Sequence, residues 1–455
     1  MAQRPIFAVA VLVCLRLALG AWSQETQTQR KPGDTRSPEE ISELKRKAEA
    51  GNTKAQFTLG LAYLFGEGVS RDYAEAAKWL TKASEQGNVD AKVNLANLYQ
   101  YGLGVPKDEA KAVELTRVAA EAGDASAQFN LGVKYANGRG VPLDNKEAAK
   151  WFRKSAEQGN AMGEWALGRG YSNGLGVPHD DSEAVKWYRV AAQQGLKEAQ
   201  QDLGYLYYIG RGVPQDYTAA REWFEKAARQ GVTVAQKNLA VIYDQGLGVP
   251  KDGKEAAKWY LKPAQEGDAE AQNRLAHLVL AGKATPGRQP AEDGAEAAQW
   301  FRRSAEQGNA DSEDSLGALY LGGLGVEKDA ATAAQWFRRS AQRGNAAGET
   351  HLAILYLTGL GVDKDVNQAK EWFTRAAEKG NAQAQQNLGS LYGNGTGVAM
   401  DYVTSYMWLS LAELNGDKNA RQGLDFLKTK MSDTQIADAS RRAQEWLSTH
   451  SKLPK

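Results

Sequence analysis

The chain has 455 residues, with 56 Lys plus Arg against 55 Asp plus Glu, for a formal net charge of +1. That balance gives no global attraction to nucleic acid or to an anionic membrane surface, and a mean hydropathy of −0.55 fits a water-soluble chain. The single cysteine, Cys14, lies in a segment expected to be removed, so the mature protein has no disulfide open to it.

Met1 to about Gly20 reads as a secretory signal peptide. Arg4 supplies the positive start, Ile6 to Val13 the apolar run, and Ala18-Leu19-Gly20 a small-x-small cleavage site. Arg16 interrupts the apolar region, which is too short for a membrane span of ~20 residues. Residues 21–36 are rich in Gln, Thr, Lys and Gly and are expected to form a disordered leader. Ser37-Pro38-Glu39-Glu40 combines a cap, a first-turn proline and an acidic residue. Residues 37–50 are therefore expected to be an N-terminal capping helix.

From Gly51 onward the chain repeats itself. Closing glycines fall at Gly51, Gly87, Gly123, Gly159, Gly195, Gly231, Gly267, Gly308, Gly344, Gly380 and Gly416, 36 residues apart except for 41 between Gly267 and Gly308. In Gly123 to Gln158, Ala127, Leu131 and Tyr135 share one face of a first helix, helix A. Gly138-Arg139-Gly140-Val141-Pro142 stops it. Asp144 and Glu147 then open a second helix, helix B, whose apolar stripe is Ala148, Trp151, Phe152, Ser155 and Ala156. A fixed period of this size means stacked helix pairs, each too small to bury its own apolar face. The pattern predicts an all-α fold, a right-handed α-solenoid of helix-turn-helix repeats over residues 51–415.

Residues 267–307 break the pattern. Pro263, just before them, occupies a helix-B site that is Ala or Ser in other copies, and Lys283 to Asp293 replaces the glycine turn. A helix-interior proline costs ~3 kcal/mol relative to alanine, so a kink and a weak seam are expected here. Residues 416–450 lose the turn but keep apolar faces, as C-terminal capping helices should.

The recurring elements are Ala-Gln-x-x-Leu-Gly-x-x-Tyr, Gly-x-Gly-Val, Asp-x-x-x-Ala-x-x-Trp and Ala-Ala-x-x-Gly. Together they closely resemble the Sel1-like repeat, a relative of the tetratricopeptide repeat, from about Gly51 to Gly416. The bacterial secreted type is the nearest in pattern. The resemblance implies stacked repeats and an adaptor role in signalling, envelope or host interaction, in the periplasm or outside the cell.

Motifs that suggest chemistry have simpler readings. Ser42-x-x-Lys45 lies on the amphipathic capping helix without the partner motifs of penicillin-recognising enzymes. The P-loop spacing of Gly248 to Lys254 follows no strand, and Glu255 stands where Ser or Thr should be. His179, His277, His351 and His450 are far apart along the array, so no metal site is expected. The ten repeat aspartates, Asp293 included, read as helix-B caps. Basic pairs such as Arg153-Lys154 and Arg302-Arg303 read as solvated faces with snorkelled stems.

One surface remains for a ligand. The third, seventh, tenth and fourteenth residues of helix A share the face opposite the core stripe, which by analogy with related solenoids lines a concave groove. Asn94, Asn130 and Asn238 recur at the seventh position, where helix propensity does not favour asparagine. An amide can grip a peptide backbone through both its donor and its acceptor. Asn94 and Asn130, on adjacent copies, are thus expected to hold an extended segment whose side chains are read by Asn97, Tyr101, Arg169 and Tyr205, with Asn238 a further candidate binding residue. The expected function is a non-enzymatic, exported scaffold for a protein or peptide partner, with no cofactor, no nucleic acid and no stable membrane insertion. The alternatives are a regulatory subunit that restrains an envelope signalling protein, or a cell-wall or β-lactam hydrolase, for which no nucleophile-base pair is evident.

Overall fold

The structure is a computed structural model, and it describes residues 36–284 and 289–450. The expected signal peptide and, but for Arg36, the leader lie outside the described residues. Among the described residues there are 23 helices and no strand. They form two compact units, divided after Val232. The first unit starts with α1 (Pro38–Glu49). Five pairs follow: α2 (Thr53–Phe65) with α3 (Tyr73–Glu85), α4 (Val89–Tyr101) with α5 (Glu109–Glu121), α6 (Ala125–Asn137) with α7 (Asn145–Glu157), α8 (Ala161–Asn173) with α9 (Asp181–Gln193), and α10 (Lys197–Ile209) with α11 (Tyr217–Arg229). The second unit opens with α12 (Thr233–Gln245) and α13 (Gly253–Gln265), then α14 (Ala269–Leu280) and α15 (Pro290–Glu306). Next come α16 (Ala310–Gly322) with α17 (Ala330–Gln342), α18 (Ala346–Thr358) with α19 (Val366–Glu378), and α20 (Ala382–Asn394) with α21 (Tyr402–Leu414). Helices α22 (Ala420–Lys428) and α23 (Asp433–His450) close the unit, where Trp446 meets Trp408 edge-on at 6.2 Å.

Each hairpin is fixed by the same residues. Helix A ends on a left-handed glycine, such as Gly138 at φ +63°. The chain then reverses, and the backbone N–H of the helix-B aspartate donates to the carbonyl of the helix-A tyrosine, as Asp144 does to Tyr135 at 3.0 Å. The aspartate side chain in turn accepts from the first-turn amides, Lys146 and Glu147 for Asp144. A cap of this kind contributes ~1 kcal/mol. Asp72, Asp108, Asp180, Asp216, Asp252, Asp329, Asp365 and Asp401 do the same. Asp293 corrects the expectation. It is buried inside α15, because the inserted residues start that helix earlier, at Pro290 behind Gln289.

Two features join one repeat to the next. The second glycine of each turn lies against the start of the preceding helix B. A Cβ on Gly176 would sit 1.8 Å from the Asn145 carbonyl oxygen, so no side chain fits there. The second feature is a buried side chain five residues after the closing glycine. Gln128 donates to the Ala120 carbonyl at 3.1 Å, and Gln158, at the end of its own helix B, donates to Gln128 at 2.7 Å. One amide thus ties three successive helices, and its polar atoms are satisfied in the core. Gln56, Gln200, Gln272 and Gln385 repeat the arrangement.

The irregular repeat does not interrupt packing. Tyr260, Leu275, Phe301 and Leu316, from α13, α14, α15 and α16, belong to one buried cluster. Helix α13 runs unbroken through Pro263, itself buried near the helix end. Proline still removes one helical donor, and the matching Ala83, Ala119, Ala191 and Ala227 are fully buried. Pro263→Ala is therefore expected to stabilise the second unit by ~1–3 kcal/mol. Urea unfolding followed by Trp fluorescence checks this, and a loss of stability would show that the proline ring fills space alanine leaves empty.

Candidate functional site

The helix-B surface is largely occupied by its own contacts. A basic side chain three residues after the tryptophan covers the indole: Lys154 sits 4.3 Å from the Trp151 ring centroid, Lys226 3.9 Å from Trp223, and Arg339 4.4 Å from Trp336. The preceding arginine reaches the tyrosine of the next helix A. Arg153 donates to the Tyr171 hydroxyl at 2.7 Å and Arg189 to Tyr207 at 2.9 Å. The basic pairs are thus tied down by aromatic partners. Lys45 of the Ser-x-x-Lys match is likewise placed 5.7 Å over the Tyr63 ring.

The helix-A face differs from expectation at its seventh position. Asn94 is buried, 3% exposed, and its Nδ2 donates to the Asp90 carbonyl one turn back at 2.7 Å. Its amide is therefore not open to a ligand backbone, which corrects the accessible role expected for it. Asn137, Asn173 and Asn387 make the same bond within their own helices. Asn97 and Tyr101 on α4, Asn130 on α6 and Arg169 on α8 are half-buried, and Tyr205 on α10 is exposed. These all belong to the first unit. Asn238, half-buried on α12, belongs to the second.

Sequence reasoning missed a direct bond between successive A helices. Trp165 Nε1 donates to Asp202 Oδ2 at 2.8 Å, and the Arg169 guanidinium lies 5.0 Å from the Trp165 ring centroid. Burial pushes the Asp202 carboxyl above its usual range, and the nearby Glu198 adds to the rise. The Trp165 bond and the Arg169 charge act the other way. The second unit has a matching pair, His351 Nδ1 and Asp314 Oδ1 at 2.7 Å. Glu164 replaces the buried glutamine of its repeat and is bonded by neutral Gln194 at 2.8 Å, so burial raises its carboxyl also. The comparable Glu313 is met by Arg339 and Arg343, and Glu349 by Lys379 and Arg375.

The repeat geometry has a sequence counterpart among known proteins. The Sel1 repeat pattern matches ten successive segments: residues 53–88, 89–124, 125–160, 161–196, 197–232, 233–268, 269–309, 310–345, 346–381 and 382–417. The chain belongs to the Sel1 repeat family. It is similar to the crystal structure of c5321, a protective antigen of uropathogenic Escherichia coli strains with an SLR fold. Identity is 38%, over 90% of this chain and 87% of that one, with a TM-score of 0.77. A Sel1 repeat protein from Oxalobacter formigenes is 32% identical over 55% of this chain and 96% of that one, with a TM-score of 0.44. No curated protein matches the chain. Among the described residues, no helix is long and apolar enough to cross a membrane.

One column of the Sel1 array holds a residue that the pattern does not call for. Lys134 stands where the other repeats carry Ala62, Leu98, Gly170, Leu206, Ile242, Leu278, Leu319, Leu355 and Leu391. A column-by-column reading of the sequence would have found it. It is 6% exposed, and its Nζ donates to Gln100 Oε1 at 2.6 Å. Burial lowers its pKa to about 8, with Arg139 adding to the fall and Glu109 opposing it. Below about 8 both folded and unfolded lysine are charged, and the burial cost is present in full. As pH rises further the folded lysine loses its proton first, so stability should climb until the unfolded lysine titrates near ~10.4. The rise amounts to roughly 2–3 kcal/mol. Lys134→Leu should be more stable by a similar amount at pH 7 and should lack this alkaline gain. Urea unfolding of both proteins at pH 7 and pH 9.5 checks it, and an equal pH response would contradict the assignment.

Proposed function

We propose that this Sel1 repeat protein is an exported, non-enzymatic scaffold that binds a protein or extended peptide on the helix-A face of its repeats. The observation that carries the reading is exposure. Tyr205 and Ile209 on α10 are 47% and 38% exposed, although the aromatic residues of helix B are covered by neighbouring side chains. Large amphipathic side chains of this kind supply binding area at low entropic cost. Asn97, Tyr101, Asn130 and Arg169 extend the surface within the first unit, and Asn238 offers a separate contact in the second. Asn94 acts here by holding its helix. Export is supported by the charged and apolar start of the chain, and by similarity to a protein described as a protective antigen.

Crosslinking in the native envelope would identify the partner, and titration against it tests the surface. Asn130→Ala with Tyr205→Ala should remove contacts worth ~1 kcal/mol each, which weakens binding at least ~10-fold. Folding should survive, since neither side chain is part of the buried core. Unchanged affinity with intact helical content would mean that the partner binds elsewhere. Mass spectrometry of the exported protein should show an N-terminus near Ala21. An intact Met1 in the cytosol would overturn the export reading.

A further inference from the structure

The helix-A face of α10 is unlike the others in the first unit, because it combines negative charge with exposed apolar surface. Glu198, Asp202, Tyr205 and Ile209 are spaced four, three and four residues apart, so they form one stripe along the helix. Asp202 is engaged by Trp165 and lies near Arg169. Glu198 is not so engaged. It is half-buried, and its Oε2 is buried without a hydrogen-bond partner. That oxygen has lost hydration and gained no compensating bond, and a second carboxylate lies close by. Arg211, the cation that faces Tyr205, is already held by Asp181 at 2.7 Å. Tyr205 and Ile209 then continue the stripe as open apolar surface.

We infer that this stripe is a docking strip for an extended peptide segment bearing a lysine or arginine close to an aromatic or aliphatic residue. This rests on the scaffold reading and specifies the partner's chemistry. The cation pairs with the half-buried Glu198 in the negative field that Asp202 reinforces. The apolar side chain packs on Tyr205 and Ile209. The same cation can also lie over the Tyr205 ring when the peptide shifts register. Glu198 and Tyr205 are seven residues apart, about 10 Å along the helix axis at ~1.5 Å per residue. A polyproline-II chain, whose side chains return to the same side every three residues at ~3.1 Å each, covers that distance in about three residues. The preferred segment is therefore Lys or Arg, two intervening residues, then an aromatic or a large aliphatic one. An acidic segment would meet repulsion at Glu198 and Asp202.

Random peptides displayed on phage and selected against the intact mature chain test this without knowledge of the natural partner. Enriched sequences should carry the basic residue about three positions from the apolar one. In fluorescence anisotropy, replacing that basic residue by glutamate in the synthetic peptide should weaken binding at least ~10-fold. Glu198→Gln and Tyr205→Ala should each weaken it about tenfold. Added salt should weaken binding to the unmodified protein more than to Glu198→Gln. The peptide swap needs no folded variant, so it decides the question even if a substitution disturbs α10. Enriched peptides without a cation, or peptides that tolerate the glutamate swap, would overturn the inference and leave the scaffold reading standing. Selection that enriches no peptide would also overturn it. The scaffold reading itself fails only if envelope crosslinking also captures no partner dependent on the helix-A face.

Discussion

Neighbouring repeats touch through backbone, and that contact sets the terms for much else in the fold. At Gly104, Gly140, Gly176, Gly212 and Gly361 a Cβ would lie within 2.6 Å of main-chain atoms at the start of the previous helix B. Glycine is needed there for the close approach as well as for its positive φ of +69° to +76°. A contact of this kind fixes the register of each repeat against the last. The irregular repeat obeys it. Its extra residues lengthen α15 at the N-terminal end, and the position against Gly325 becomes mid-helix. Gly294 stands at that position, where a Cβ would come 2.9 Å from the Leu324 carbonyl carbon. The insertion is accommodated by a glycine on each side of one contact.

Once the register is fixed, polar groups in the core have defined partners. In several repeats the buried side chain five residues after the closing glycine meets a matching last side chain of its own helix B. Gln128 meets Gln158, Glu313 meets Arg343, and Glu349 meets Lys379. Charge is matched by charge and amide by amide, as the cost of an uncompensated buried ion requires. Glu164 with Gln194 is a mismatched rung, and Lys134 is a lone cation in an apolar column. Both lie in the middle of the first unit, on helices A adjacent to α10 or one removed. Perturbed groups concentrate at functional sites more often than elsewhere. Stability in that region is thus reduced next to the surface that carries the exposed aromatic residue.

Much of the fold was legible because each signal repeats in phase. One Asp-x-x-Glu could be chance, but nine aspartates capping nine helices follow from a shared local geometry. Asp293 failed because its meaning depended on where the helix began, and the inserted residues moved that start. Asn94 failed for another reason. Helical phase placed it opposite the core stripe, but successive A helices also approach one another, and that second interface covers part of the face. The same approach brings Trp165 to Asp202, whose positions in the repeat differ by one and whose partnership no within-helix period reveals. The aromatic pairs of helix B were read as core, while the basic pairs, read as solvated faces, turned out to have partners, the indole ring and the next tyrosine, that became evident only with the helices in place.

In the proposed function helix A binds and helix B packs. A photo-crosslinking residue can be placed at exposed Tyr205 on α10 or at exposed Val190 on α9, in the protein produced in its native host. Adducts with a partner from position 205, and none from position 190, are the predicted result. Adducts from position 190 with none from position 205 would place the functional surface on helix B and contradict the account.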